Sequence, residues 1–94
     1  MLLPMFMEDF FIVFPEGDAQ EVPGRLPLNA LVDINGRILP LPLPTHRMIA
    51  FRVARIQTSE KKGSRETRHF LELLAAEELF PYTQAPEAAP DDLR

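Results

Sequence analysis

The dipeptide Asn35-Gly36 is the sequence feature that most restricts how this chain can fold. It lies between two apolar runs, and Asn-Gly readily supplies the two positive-φ residues of a two-residue type I′ hairpin turn. Such a turn would place Val32 opposite Leu39. The sequence therefore predicts a β-hairpin with strands at 28–34 and 37–43.

Three prolines alternate with leucines along the second strand of this hairpin, at Pro40, Pro42 and Pro44. In the predicted register their missing N–H groups point away from the partner strand, which an edge strand tolerates. The alternative is that the segment 39–44 forms a polyproline II helix that docks onto an aromatic groove. Because turn, hydrophobic pattern and prolines agree, we favour the strand.

A second hairpin is predicted around the segment 61–63, Lys-Lys-Gly, which separates strand-like stretches at 48–58 and 65–74. A three-residue loop with glycine in its last position is a common hairpin connection. The resulting register places Arg52 opposite Glu72, a favourable cross-strand charge pair. It also gathers four apolar side chains into one core patch: Phe51, Val53, Leu71 and Leu73.

The remaining segments complete the predicted architecture. The aromatic and β-branched run at 10–14 predicts a strand, 19–27 a loop, and the helix formers at 75–80 one or two helical turns before a proline. The expected fold is all-β and mainly antiparallel, a small five-stranded barrel or rolled sheet with a short C-terminal helix over residues 8–83. The polar and proline-containing stretch 84–94 predicts a disordered acidic tail.

Composition limits the class of protein. A chain of 94 residues forms one domain with a modest core. It has no cysteine, which removes disulfides and thiolate metal sites and fits a reducing compartment, so we expect a cytoplasmic location. No apolar run approaches the roughly 20 residues that cross a bilayer, so no membrane partner is expected.

Catalytic and cofactor sites are not predicted. Neither His46 nor His69 is spaced to couple with a carboxylate and a hydroxyl, and the four glycines lie singly in turns, so no phosphate-binding loop is formed. We therefore expect no enzymatic activity, no catalytic residue, no cofactor and no metal site.

Charge is unevenly distributed along the chain. Segment 47–68 contains seven Lys or Arg and two Asp or Glu, a net charge of +5, so the remainder carries −9 of the total of −4. This predicts one basic face on an otherwise acidic molecule, with an ordinary solvated hairpin as the alternative. The candidate binding residues, for a partner protein or nucleic acid, are Arg52, Arg55, Lys61, Lys62, Arg65 and Arg68.

The leading functional hypothesis is a non-catalytic protein-interaction module that self-associates, so the expected partner is a second copy or another protein. It is based on the complementary charged regions and on a surplus of strand aromatics. The candidate interface residues are Phe6, Phe10, Phe11 and Phe14. The alternative is a nucleic-acid-binding β-barrel that uses the basic 47–68 hairpin, because five short strands resemble the small antiparallel barrels that bind oligonucleotides or peptides. The overall acidity counts against that alternative.

Overall fold

The computed structural model describes residues 7–84, most of which belong to one five-stranded sheet or to the loops around it. The sheet is curled into a half-barrel with strand order β2-β1-β5-β4-β3. The strands are β1 (Met7–Val13), β2 (Ala19–Val22), β3 (Leu31–Val32), β4 (Phe51–Lys61) and β5 (Ser64–Leu73). A short helix, α1 (Ala76–Leu79), and a 3₁₀ turn (Phe80–Thr83) follow.

Strand β1 makes the sheet mixed, whereas the sequence predicts a mainly antiparallel one. It pairs antiparallel with β2 and parallel with β5, so Ile12 lies opposite Gln20 on one side and His69 on the other. A parallel pair joins segments that are distant in the chain, and hairpin signals cannot reveal it. The strand order ends at β2 and β3, so the sheet is an open half-barrel rather than a closed barrel. A rolled sheet of five strands and the short C-terminal helix are confirmed, but the set of strands differs, because the predicted strand at 37–43 is absent and β2 takes its place in the count.

The inner face of the sheet carries the main core, to which β4 contributes Phe51 and Val53 and β5 contributes Leu71, while the next inward residues of β5 are the buried polar residues Thr67 and His69. The loop after β2 crosses this face and contributes Leu26, which is 8% exposed. The buried residues of this core are Ile12, Val22, Leu26, Val32, Phe51, Val53 and Leu71. We call the opposite side of the sheet the outer face.

A second apolar cluster fixes the C-terminal helix. Leu79 of α1 is fully buried and packs with four other buried residues: Leu31, Leu43, Ala50 and Leu74. The backbone N–H of Ala75 donates to the Glu78 carboxylate (2.7 Å), which caps the first turn. Since Leu43 N–H also donates to the carbonyl of Tyr82 (2.7 Å), the end of the described chain is tied to the loop before β4.

The turn at Asn35-Gly36 contains three residues, so the predicted type I′ turn is wrong. Asp33 N–H donates to the carbonyl of Arg37 (2.9 Å), and Gly36 N–H donates to the carbonyl of Asp33 (2.9 Å). Gly36 has a φ of 80° but Asn35 does not share the left-handed region, so this is a type I turn followed by a left-handed glycine. The Asp33 carboxylate stabilises it by accepting the N–H groups of Asn35 (2.8 Å) and Arg37 (3.0 Å).

This longer turn shifts the first hairpin by one residue and shortens it. Val32 lies opposite Ile38 instead of Leu39. The predicted strands 28–34 and 37–43 reduce to β3 and to that single bridge. In the first predicted strand, Asn29 interrupts the extended backbone with a φ of 71°. In the second, the alternating prolines cannot donate to a ladder.

Strand β2 lies where the sequence predicts a loop at 19–27. Its side chains are exposed apart from Val22, so it has no hydrophobic pattern that would distinguish it from a loop. The turn before it has the same form as the one at Gly36: Phe14 N–H donates to the carbonyl of Asp18 (2.8 Å), and Gly17 has a φ of 106°. An edge strand with polar side chains is therefore formed by its turn rather than by its own composition.

The turn between β4 and β5 has two residues, at 62–63, where the sequence predicts three. A bulge between Val53 and Arg55 takes up the difference of one residue. Consequently the predicted register is correct between the bulge and the base of the hairpin, and is wrong by one residue between the bulge and the turn.

Individual cross-strand pairs show where the predicted register of β4 and β5 is correct and where it is wrong. The predicted pairing of Arg52 with Glu72 is confirmed. Arg55 lies opposite Phe70, because the bulge turns it to the outer face. Leu73, predicted to be part of the core patch, is 58% exposed, and its neighbour Leu74 is buried instead because the chain turns there towards α1.

Candidate functional site

Three arginines of the predicted basic hairpin form ion pairs with carboxylates, and two of these pairs are half-exposed. Arg52 forms an ion pair with Glu72 across β4 and β5. The Arg68 Nη1 atom is 2.7 Å from Glu66 Oε1. All four side chains are roughly 40% exposed, so each pair contributes only about 0–1 kcal/mol to stability. The pairs nevertheless neutralise charge that an anionic partner would need.

Arg65 links three strands near the turn end of the sheet. Its Nε donates to Glu60 of β4 (2.8 Å), and its Nη1 lies 3.3 Å from the carboxylate of Glu8 on β1. The hydrogen bond and the charge of Glu60 raise the pKa of Arg65, with a smaller contribution from Glu8. This arginine therefore holds strands together and has its charge balanced locally.

The outer face presents arginines stacked on aromatic rings. The Arg55 guanidinium carbon lies 4.0 Å from the centroid of Phe70, and that of Arg68 lies 5.7 Å from the centroid of Phe11. In each contact the arginine and the phenylalanine lie opposite each other on adjacent strands, so the register of the sheet creates the contacts. Cation–π pairs at such exposed positions contribute about 0.5–1 kcal/mol each.

The two lysines of the predicted site stand apart from these pairs. Lys61 ends β4 and Lys62 begins the turn, and both are exposed. Among residues 7–84 neither has an ion-pair partner. A small cleft of ≈ 90 Å³ lies beside Lys61, with Asp9 and Glu66 on its wall. We call Lys61 and Lys62 together the lysine tip.

The predicted interface aromatics do not share one surface. Phe10 and Phe14 lie on the inner face and pack against the main core, whereas Phe11 lies on the outer face under Arg68. Phe6 lies outside the described residues. The alternation of side chains along a strand separates neighbours in the sequence onto opposite faces.

A larger cavity opens at the other end of the sheet, where β1 turns into β2. Its volume is ≈ 470 Å³, within the roughly 300–1,000 Å³ typical of ligand pockets. Phe14 and Phe51 meet there edge to face, with ring centroids 5.3 Å apart and planes at 70°. We call this the acidic cavity; its lining residues are Phe14, Glu16, Asp18, Ala19, Gln20, Ile34 and Phe51.

Sequence reasoning misses the acidic cavity because it forms between segments that are far apart in the chain. Three turns or strand ends contribute, from the regions near residues 14–20, 34 and 51. The sequence also predicts a loop over 19–22, so it indicates no surface beside that segment. The clustered Glu16 and Asp18 in a proline- and glycine-containing turn are the only signal that the sequence offers.

His69 is a structural residue rather than part of a site. Its ring is fully buried, Nε2 accepts the backbone N–H of Leu26 (3.0 Å), and Nδ1 lies 2.9 Å from the carbonyl oxygen of Phe11. This network assigns the neutral tautomer protonated on Nδ1. With both nitrogens engaged, the ring joins β5 to β1 and to the loop over the core.

Metal-binding clusters and membrane-spanning helices are absent from the part of the chain that the structure describes. Among residues 7–84, no group of three or more His, Cys, Asp or Glu side chains is placed to hold a metal ion. Over the same range, no helix has the length and apolar character required to span a bilayer.

The sequence matches a known protein family. The model of a family described as "Uncharacterised Treponema protein" matches residues 6–82. Neither a curated protein nor a solved structure matches the chain.

Proposed function

This chain belongs to the family described as "Uncharacterised Treponema protein", and we propose that it is a non-catalytic protein-interaction module that associates with copies of itself. The observation that carries the proposal is the separation of its unpartnered charges. The lysine tip lies at one end of the sheet, and Glu16 and Asp18 lie at the other, without a basic partner among residues 7–84.

Three arginines of the basic hairpin are already balanced by carboxylates. Arg52, Arg65 and Arg68 each face a carboxylate of the same sheet. Of the candidate binding residues on the basic hairpin, the two lysines of the tip and Arg55 have no carboxylate partner among residues 7–84, and Arg55 lies over the ring of Phe70. Complementary patches of this kind steer encounter and fix the orientation of partners.

The oligomeric state of the full chain tests the proposal. We expect sedimentation velocity to show a concentration-dependent mass above the 10.7 kDa of the monomer. Lys61→Ala together with Lys62→Ala should reduce this association. The matched control is Arg37→Ala with Arg47→Ala, which removes the same charge from two exposed arginines elsewhere and should leave the association intact. A wild-type chain that stays monomeric at every concentration would refute self-association.

Binding of single-stranded nucleic acid is a second candidate function, favoured by the outer face. Guanidinium groups lie over the rings of Phe11 and Phe70, and arginines beside aromatic rings are the side chains with which single-strand-binding surfaces neutralise phosphates and stack bases. The net charge of −4 and the carboxylate bonded to Arg68 oppose it. Proteins that bind nucleic acid without sequence preference are normally basic.

Titration of a fluorescent single-stranded RNA with the full chain distinguishes the two functions. If the outer face binds RNA, Arg55→Ala should weaken binding. The slope of the logarithm of the binding constant against the logarithm of the salt concentration should also become shallower by about 0.7 for each phosphate that the variant no longer neutralises. The self-association proposal expects no measurable RNA binding by a chain that still associates. Affinity for RNA that disappears in Arg55→Ala would favour nucleic-acid binding instead.

A further inference from the structure

The acidic cavity combines an apolar floor with an acidic rim. Its floor is the edge-to-face pair of Phe14 and Phe51, and its wall is Ile34, which is 57% exposed although it is a large apolar residue. Glu16 and Asp18 lie at the rim. This arrangement suits a ligand with an apolar stem and a cationic end.

A lysine side chain has that chemistry. Its four methylene groups can lie along apolar surface while the ammonium remains at the rim, as long basic side chains do elsewhere on proteins. There the ammonium would form charge-assisted hydrogen bonds with the two carboxylates. An ammonium near the aromatic rings also gains from their negative faces.

We infer that the acidic cavity receives the lysine tip of a second copy of this chain, an inference that rests on the proposed self-association. The tip presents two adjacent lysines at a strand end and turn, and the cavity has two carboxylates close together in the chain. The positive charges of the lysine tip therefore match the negative charges of Glu16 and Asp18. This complementarity is the reason for assigning the tip of a second copy, rather than another ligand, to the cavity.

The positions of the two surfaces define the kind of contact. In the β1–β5 pairing Met7 lies opposite Ser64, beside the tip, and Val13 lies opposite Phe70, beside the cavity. Six residues of strand, or about 20 Å, separate these positions. One copy cannot fill its own cavity across that distance along a rigid sheet. The contact is therefore intermolecular, formed once in a head-to-tail pair or twice in a two-fold dimer in which each copy's tip enters the other's cavity.

Mixing two defective variants tests this contact directly. The tip variant carries Lys61→Ala and Lys62→Ala, and the cavity variant carries Glu16→Gln and Asp18→Asn. Each should associate about tenfold or more weakly than the wild type, because it lacks one half of the contact. Mixed in equal amounts, they should form a 1:1 dimer, since the intact cavity of the first receives the intact tip of the second. Circular dichroism confirms that both variants remain folded.

The outcomes separate this inference from the proposed function. A cavity variant that associates as strongly as the wild type would overturn the inference and leave self-association through another surface. Defective variants that stay monomeric when mixed would overturn it as well. A monomeric wild type would refute both. Recovery of the 1:1 dimer, absent when two tip variants or two cavity variants are combined, supports the contact.

Discussion

His69 joins three parts of the fold through one side chain. It is fully buried on β5, accepts from Leu26 in the loop over the core, and bonds to the Phe11 carbonyl of β1. Buried polar groups of the backbone require partners, because leaving one unpaired costs about 1–3 kcal/mol. The histidine therefore provides hydrogen-bond partners for one backbone group of the loop over the core and one of β1.

Replacing this histidine tests its structural role. His69→Phe keeps an aromatic ring of similar size but removes both hydrogen bonds, so we expect the free energy of unfolding in urea to fall by about 1–3 kcal/mol or more. His46→Phe is the matched control, since His46 is half-buried and contacts Phe80 only edge to face at 5.4 Å. Equal unfolding midpoints for the two variants would contradict the role of His69.

Gly36 is constrained both by its backbone and by its neighbours. A Cβ atom there would lie 2.8 Å from Val22 Cγ1 and 3.1 Å from Ile12 Cδ1, at a φ of 80°. Gly36→Ala should therefore lower the free energy of unfolding by about 1–3 kcal/mol. Gly24→Ala is the control, because a Cβ at Gly24 meets no atom within 4 Å. Thermal unfolding of both variants gives the comparison, and an unchanged midpoint for Gly36→Ala would show that the turn differs.

The example of Gly36 shows what the sequence can reveal at a single position. The Asn-Gly dipeptide correctly locates a turn, but the type of turn depends on Asp33, whose carboxylate binds two backbone N–H groups beyond it. Both turn types are compatible with the same two residues. Local propensity thus predicts where the chain reverses, and side-chain hydrogen bonds decide the register.

Among the strands, β4 and β5 are predictable from the sequence and β2 is not. At their open end the long strands have apolar residues two positions apart, Phe51 with Val53 and Leu71 with Leu73, and Arg52 and Glu72 oppose each other as expected. β2 has a single buried side chain, Val22. A bulge of one residue near Arg55 leaves no pattern in the sequence, so the pairing of β4 with β5 between the bulge and the turn could not be predicted.

Amide hydrogen exchange tests the position of β2 at the edge of the sheet. The Phe14 N–H donates to the carbonyl of Asp18, so Phe14 and Asp18 are a hydrogen-bonded pair. Hydrogen-bonded and non-hydrogen-bonded pairs alternate along an antiparallel ladder, which makes Ile12 and Gln20 the next hydrogen-bonded pair. The Gln20 N–H therefore points towards β1, while the N–H groups of Ala19 and Glu21 point away from the sheet. We expect the Gln20 amide to exchange at least about tenfold more slowly than its two neighbours in dilute, monomeric protein. Uniformly fast exchange over 19–22 would contradict the strand.

The same measurement at high protein concentration distinguishes two modes of association. Insertion of a lysine tip into the acidic cavity leaves the outward amides of Ala19 and Glu21 unbonded. Addition of a strand to the β2 edge would protect them instead. Slow exchange of these two amides on association would therefore indicate edge pairing and contradict the contact that we infer.

At the scale of the whole molecule, the sequence predicts which charges exist but not which are cancelled. The sequence shows the excess of basic residues in segment 47–68, yet three of its arginines face carboxylates, including Glu8 from the distant β1. The parallel pairing of β1 with β5 brings that carboxylate to Arg65. The acidic cavity likewise depends on contacts between remote segments, so both surfaces require the tertiary fold.

Net charge and local charge have opposite effects on association. Copies with a net charge of −4 repel one another at long range, while the lysine tip and the acidic cavity attract at contact. The Debye length is about 8 Å at 0.15 M salt and about 3 Å at 1 M, so moderate salt already screens the long-range repulsion. Further salt acts mainly on the contact itself.

We therefore expect the association constant of the wild type to fall as salt is raised from about 0.15 to 1 M, because the charged contact is progressively screened. The Arg37→Ala/Arg47→Ala control should show the same fall. The Lys61→Ala/Lys62→Ala variant has the same net charge as that control but lacks the attraction, so its residual association should stay constant or rise with salt. Sedimentation velocity across the salt series measures all three proteins. Since both double variants remove two positive charges, a difference between them cannot come from net charge. Equal salt dependences for the tip variant and the control would place the contact away from the lysine tip.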